Sequence, residues 1–71
     1  MPSDLNLIIA RNLKLYRERA GLTQEGLARA VGELSTGAVS AIEQGKNTPR
    51  IDTLKRIADV LGVTVDKLLK E

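Results

Sequence analysis

Residues 23–45 read TQEGLARAVGELSTGAVSAIEQG, and this stretch decides how the rest of the chain is interpreted. Thr23 carries a hydroxyl group that can cap the start of a helix, and Gly32 is suited to end that helix in a left-handed conformation. Ser35 provides a second cap, after which apolar residues again recur at helical spacing. The stretch therefore predicts two short helices joined by a tight turn.

Three further helices are predicted around this pair. In the first, which Gly21 ends, one arc forms a predicted core face of Leu5, Ile9, Leu13, Tyr16 and Ala20. The fourth is marked by Ile51, Leu54, Ile57, Ala58 and Leu61, and Thr64 caps a short fifth helix. No stretch alternates apolar and polar residues as a strand would. The predicted fold class is all-α, a single compact domain whose five helices span about residues 4–20, 24–31, 36–44, 51–61 and 65–70.

Composition excludes several kinds of function. The 71 residues carry a net charge of only +2, and they include neither cysteine nor histidine. Disulfides, zinc-finger ligation, and Ser-His or Cys-His catalysis are therefore excluded, and we predict no enzyme, metal or cofactor. The longest apolar run, Leu7 to Ala10, is too short for a membrane span or a signal-peptide core. We expect a soluble cytoplasmic protein.

Three segments in order, TQEGLARAVG, VSAIEQGK and TLKRIADVLGVTVDKLL, carry a family resemblance. Together they resemble the Cro-type, lambda-repressor-like helix-turn-helix domains, also called the XRE family, from about Ile9 to Leu69. One departure lies in the turn, where Glu33-Leu34-Ser35 occupies a slot that commonly holds two residues. We expect Leu34 to anchor this longer turn to the core. Glu33 would weaken DNA binding unless its carboxylate points away.

The resemblance implies that the third helix lies in the major groove of double-stranded DNA. The base-facing positions in this sequence are then Thr36, Gly37, Ser40, Ala41 and Gln44. Apart from Gln44, this arc contains none of the strong base readers, which are Arg, Lys, Asn and Gln. We therefore expect modest direct readout and a larger share from phosphates and DNA shape. The alternative is that these small residues form a plain surface or a protein contact site.

Phosphate contacts are predicted on both sides of the motif. Gln24 opens the second helix, where free N–H groups favour an anion and the side-chain amide can donate to the same phosphate. After the third helix come Lys46, Asn47, Thr48 and Arg50, which supply two charges and several donors. The alternative is that Lys46 and Arg50 are ordinary solvated cations of the loop that do not contact DNA.

Two further sets of residues are assigned structural roles. The resemblance implies that Arg17 and Glu43 form an ion pair within the scaffold. Apolar residues beyond the needs of the core are candidates for a dimer surface, namely Ile8, Leu15, Val63, Val65 and Leu69. For Ile8 and Leu15 the alternative is that the last helix covers them.

Two functions follow. The first is a DNA-binding transcription regulator, similar to Cro-like repressors or to the controller proteins of restriction-modification operons, which binds a palindromic operator as a homodimer. No small-molecule effector is evident from the sequence, and no membrane partner is expected. The second is a protein-interaction module, such as an antitoxin or a bridging factor built on the same fold.

Overall fold

The computed structural model describes residues 4–71 and contains five α-helices. They are α1 (Leu5–Arg19), α2 (Gln24–Val31), α3 (Thr36–Glu43), α4 (Ile51–Leu61) and α5 (Val65–Leu69). The predicted all-α class is confirmed, and no strand occurs between residues 4 and 71. The helix ends lie within one residue of the predicted ones. None of these helices is long and apolar enough to cross a bilayer.

Side-chain caps fix where four of the helices begin. In each case an oxygen of the residue before the helix accepts a hydrogen bond from a backbone N–H of the first turn, and the capping residues are Asp4, Thr23, Ser35 and Thr64. The exception is α4, whose N-cap residue Arg50 makes no such bond. The N-cap residue of α4 therefore supplies no side-chain cap, and in the first turn only the N–H of Thr53 has a side-chain acceptor among the described residues, Oδ1 of Asp52 at 2.9 Å.

The core contains at least one fully buried side chain from every helix. These side chains are Ile9 and Leu13 of α1, Leu27 of α2, Val39 of α3, Ile57 of α4 and Leu68 of α5. Because α2 and α3 each bury an apolar side chain in this shared core, the orientation of one helix relative to the other is fixed by packing.

Two residues of the predicted core face of α1 are in fact exposed, and so is the first apolar residue of α4. On the predicted core face of α1, Ile9 and Leu13 are buried and Tyr16 is half-buried, but Leu5 is 48% exposed and Ala20 is also exposed. Leu5 is the first residue of α1 and Ala20 is its C-cap, so both lie at helix ends beyond the packed centre. Ile51, the first residue of α4, is 63% exposed for the same reason.

The backbone conformation just after α3 favours a glycine at position 45, which lies close to Leu7 of α1. Gly45 has a φ of +76°, and a Cβ atom there would lie 2.6 Å from Cδ2 of Leu7. Any other residue would have to adopt a left-handed conformation and displace the Leu7 side chain. Gly45 thus lets the chain leave α3 directly beside α1.

A buried asparagine, which the sequence analysis missed, holds α5 against α1. The Nδ2 atom of Asn12 donates to the carbonyl oxygen of Leu68 at 3.0 Å and to that of Lys70 at 2.7 Å. Carbonyl groups at the end of a helix have no partner within the helix, and Asn12 supplies one for this end of α5. The only sequence signal was a polar residue between apolar neighbours within α1.

We expect Asn12→Ala to lower the free energy of unfolding by about 1–3 kcal/mol, because two carbonyl groups would lose their donor. Urea denaturation followed by circular dichroism measures the change. Asn6→Ala is the matched control, since Asn6 lies in the same helix and its side chain makes no hydrogen bond within residues 4–71. Equal stability of the two variants would show that the Asn12 hydrogen bonds contribute nothing.

Candidate nucleic-acid interface

The candidate interface is built on α2, the turn at residues 32–35, and α3. Gly32 ends α2 with a φ of +97°, and Oγ of Ser35 starts α3 by accepting from the N–H of Ala38 at 3.0 Å. Between them, the Leu34 N–H donates to the carbonyl oxygen of Gly32. The half-buried Leu34 side chain packs against the core, as the sequence predicted. The longer turn is therefore an anchored segment.

The carboxylate of Glu33 is paired with a cation from α4. Its Oε2 atom lies 3.0 Å from Nη1 of Arg56, and both side chains are largely exposed. The carboxylate therefore points toward α4, and its charge is partly neutralised there. Glu33 lies beside the surface that the sequence analysis assigned to DNA, but its carboxylate is paired with Arg56.

The two faces of α3 differ in what they contact. Val39 and Ile42 are 0% and 3% exposed and belong to the core. Of the predicted base-facing residues, three are exposed and two are half-buried; the exposed ones are Thr36, Gly37 and Gln44, and the half-buried ones are Ser40 and Ala41. The outward arc therefore presents small side chains and one amide.

The two most polar side chains of this arc are joined to each other. The Nε2 atom of Gln44 donates to Oγ of Ser40 at 2.9 Å, one helical turn away. This bond uses one of the two amide hydrogens of Gln44, so the carbonyl oxygen and the other hydrogen remain for another partner. The pair fixes the direction of the amide.

A bidentate ion pair lies behind α3. Nε of Arg17 contacts Oε2 of Glu43 at 2.6 Å, and Nη2 contacts Oε1 at 3.1 Å. The two side chains are only 10% and 5% exposed. The hydrogen bonds that Arg17 donates to the Glu43 carboxylate raise the pKa of the guanidinium above its ordinary value, although burial acts in the opposite direction. The guanidinium therefore stays charged, and α1 is joined to the last residue of α3.

The start of α2 joins the same network. Nη1 of Arg17 donates to the carbonyl oxygen of Leu22 at 2.7 Å, and Nε2 of Gln24 donates to Oε1 of Glu43 at 3.0 Å. Gln24, nominated from the sequence as a phosphate contact, thus has a protein partner that the sequence analysis did not foresee. One amide hydrogen and the carbonyl oxygen of Gln24 remain for another partner.

The polar residues that follow α3 form a cluster of donors. All four are exposed, and they line one side of a cleft between α3 and the loop that leads to α4; they are Lys46, Asn47, Thr48 and Arg50. The backbone N–H of Lys46 donates to the carbonyl oxygen of Ala41 at 3.0 Å, which ties the start of this loop to α3. The uncapped first turn of α4 begins at Arg50. Backbone N–H groups and cations therefore lie together beside the end of α3.

The candidate dimer residues lie on or next to α1 and α5, which pack against each other. Leu15 and Leu69 are 41% and 37% exposed, and Ile8 is half-buried. Val63 and Val65 are half-buried and pack against the core. The packing of α5 on α1 therefore leaves Leu15 uncovered, whereas the two valines contribute to the fold of the single chain.

Comparisons with known proteins agree with this architecture. Residues 13–68 match the family model described as helix-turn-helix. An uncharacterized HTH-type transcriptional regulator of Bacillus subtilis, YazB, is 36% identical over 61 residues, which cover 86% of this chain and 87% of that protein. The HTH-type transcriptional regulator PuuR of Escherichia coli is 35% identical over 69 residues, but these cover 97% of this chain and only 37% of PuuR. The chain thus spans most of one relative and about a third of the other.

A solved structure extends the likeness to three dimensions. The crystal structure of the hypothetical transcription factor NHTF from Neisseria superimposes with a TM-score of 0.88 at 33% sequence identity. The match covers 99% of this chain and 82% of the Neisseria chain. The five-helix arrangement is therefore shared across nearly the whole of the chain.

We expect Glu43→Ala to lower the free energy of unfolding by about 3–5 kcal/mol, because it leaves the Arg17 guanidinium buried without its carboxylate. Differential scanning calorimetry measures the accompanying fall in melting temperature. The control is Glu25→Ala, which breaks an exposed pair with Arg29 at 3.4 Å and should cost less than about 1 kcal/mol. An unchanged melting temperature for Glu43→Ala would rule out a stabilising role for the buried pair.

Proposed function

We propose that this chain, which belongs to the helix-turn-helix family of DNA-binding transcriptional regulators, binds a specific double-stranded DNA site as a homodimer. In this proposal it acts on a palindromic operator in the manner of Cro-like repressors or controller proteins. The observation that carries the proposal is the outward arc of α3, which is flanked by the donor cluster at the end of the helix.

Binding would rest mainly on phosphate contacts. The donor cluster contributes Lys46 and Arg50 as cations, and Arg50 also opens the uncapped first turn of α4. An anion placed there meets positive side chains and the backbone N–H groups of Ile51 and Asp52, whereas the N–H of Thr53 is already held by Oδ1 of Asp52. Gln24 would add a contact through the amide hydrogen that Glu43 does not use. Such contacts fix the position of α3 on the duplex without reading its sequence.

Base reading would come from the arc itself. Gln44 is the only residue of the arc with the bidentate amide that suits adenine, and its bond to Ser40 holds that amide on the outward face. Thr36 and Ala41 suit a thymine methyl group, and Gly37 permits close approach of the helix backbone to the groove floor. Specificity would therefore depend on few hydrogen bonds and on the shape of the DNA.

A homodimer would supply the additional DNA contacts that a single copy lacks. Two copies double the number of phosphate contacts and place two α3 helices one turn of DNA apart, about 34–36 Å. The exposed apolar residues near the contact between α1 and α5, Leu15 and Leu69, support an interface on this side of the molecule. Ile8 borders the same region and would become more buried there.

A second candidate function is a protein-interaction module. The absence of arginine and lysine from the outward arc of α3 favours it, because small side chains suit a protein contact as well as a groove. The donor cluster beside α3 favours the regulator, since clustered cations have an obvious partner in phosphate.

We expect a random duplex-DNA library, selected with the purified protein and sequenced, to yield a site with two-fold symmetry. Selection is carried out at low and at near-physiological salt, because phosphate attraction alone weakens steeply as salt rises. The half-site spacing would report the geometry of the dimer. If no sequence is enriched and binding vanishes with salt, the interaction module becomes the better description.

We expect Lys46→Gln to reduce the slope of log affinity against log salt by about 1.8, because each of the two copies in the proposed dimer loses one phosphate contact. The loss should be similar on specific and random duplexes, since a phosphate contact carries no sequence information. Fluorescence anisotropy at several salt concentrations measures the slope. Lys70→Gln is the matched control, because it removes the same charge beyond α5, which packs on α1 and α4. Equal slopes for the two variants would count against a contact from Lys46.

A further inference from the structure

A cleft of about 400 Å³ lies between the turn before α3, one side of α3 and the loop that leads to α4. Its volume falls within the range of small-ligand sites, roughly 300–1,000 Å³. The apolar part of the lining comes from Leu34, Ala38 and Ile42, and Pro49 adds to it from the loop. The cleft therefore offers an apolar floor directly beside the donor cluster.

The rim of the cleft carries an excess of positive charge. Lys46 forms no ion pair with any residue in the part of the chain that the structure describes. Arg50 has only a long contact, 3.7 Å from its Nε to Oδ1 of Asp52, between two well-exposed side chains. Exposed pairs of this kind contribute little, so Arg50 is available to another anion. Glu33, next to Leu34 in the turn, is held by Arg56.

We propose that this cleft binds a small amphipathic anion, a carboxylate with an aromatic or short aliphatic body. The guanidinium of Arg50 suits a carboxylate because its N–H groups match the two oxygens, and Lys46 adds a second charge. The apolar body would lie on Leu34, Ala38 and Ile42. The floor offers no hydrogen-bond partner to the polar edges of a nucleobase, which favours a carboxylate with an apolar body over a nucleotide.

Occupation of the cleft would weaken DNA binding, and this consequence rests on the proposed function. Lys46 and Arg50 are the cations assigned to phosphate, so a carboxylate bound between them competes with the DNA backbone. Coupling between two sites commonly changes affinity by about fivefold or more, and it is reciprocal. The cleft would thus make DNA binding by this domain responsive to an organic acid.

The test uses 4-phenylbutanoate as the probe and 4-phenylbutanamide as its neutral counterpart. Each is titrated into the isotopically labelled full chain, without DNA, and followed by NMR. We expect saturable shifts at the methyl groups of Leu34 and Ile42 and at the backbone amide of Lys46. The amide should bind at least about tenfold more weakly, because it lacks the charged hydrogen bonds. Absence of saturable shifts, or equal binding of the two probes, would overturn the proposal.

Variants locate the site. Ala38→Leu places a larger side chain on the floor of the cleft and should abolish saturable binding of 4-phenylbutanoate. Arg50→Gln changes an exposed side chain, so it should fold even if Ala38→Leu does not, and it should weaken binding about tenfold. Lys70→Gln removes a cation that does not line the cleft and should bind as the unaltered chain does. Unchanged binding by Arg50→Gln would also overturn the proposal.

A second measurement separates the cleft from the proposed DNA function. Anisotropy of a labelled duplex is recorded with and without saturating 4-phenylbutanoate, and we expect DNA affinity to fall about fivefold or more. If DNA affinity is the same with and without the bound probe, the proposed coupling between the cleft and DNA binding is wrong. If no duplex binds at all, the proposed function fails, whereas the NMR titration still decides whether the cleft binds the anion.

Discussion

A buried guanidinium needs hydrogen-bond acceptors, and Arg17 finds them on α3 and in the loop that leads to α2. Glu43 supplies the carboxylate, and the carbonyl oxygen of Leu22 takes a third bond. Gln24 donates to the same carboxylate. Polar geometry is directional whereas apolar packing is not, so this network specifies the relative placement of three helices more closely than the core alone. The outward arc of α3 inherits its orientation from these bonds.

Local signals in the sequence were sufficient for the fold. Caps such as Thr23 and Ser35, and glycines such as Gly32, act within a few residues, so helix boundaries can be predicted from neighbours alone. Whether a residue at a helix end is buried cannot be predicted from its neighbours, because it depends on how far the other helices extend. Leu5 and Ile51 satisfy the helical period and yet lie beyond that reach, so they are exposed.

The candidate site was less predictable, and the reason is distance along the chain. Composition and order placed Lys46 and Arg50 beside α3, since they follow it directly. The partners of Gln24, Asn12 and Glu33 lie 19, 56 and 23 residues away and belong to other helices. Such pairs carry no periodic signal in one sequence. The cleft was missed for the same reason, because a concave surface exists only once the turn, α3 and the following loop are assembled.

The division of α3 into a packed face and a face of small side chains has a consequence for how binding preferences can change. Val39 and Ile42 carry the packing, whereas Thr36, Gly37 and Ala41 make no hydrogen bond through a side chain within residues 4–71. Substitutions at these three positions would alter the outward surface while leaving the core intact. Single substitutions on this face can therefore change which DNA or protein surface α3 binds without disturbing the fold. The same positions suit randomised libraries and natural divergence.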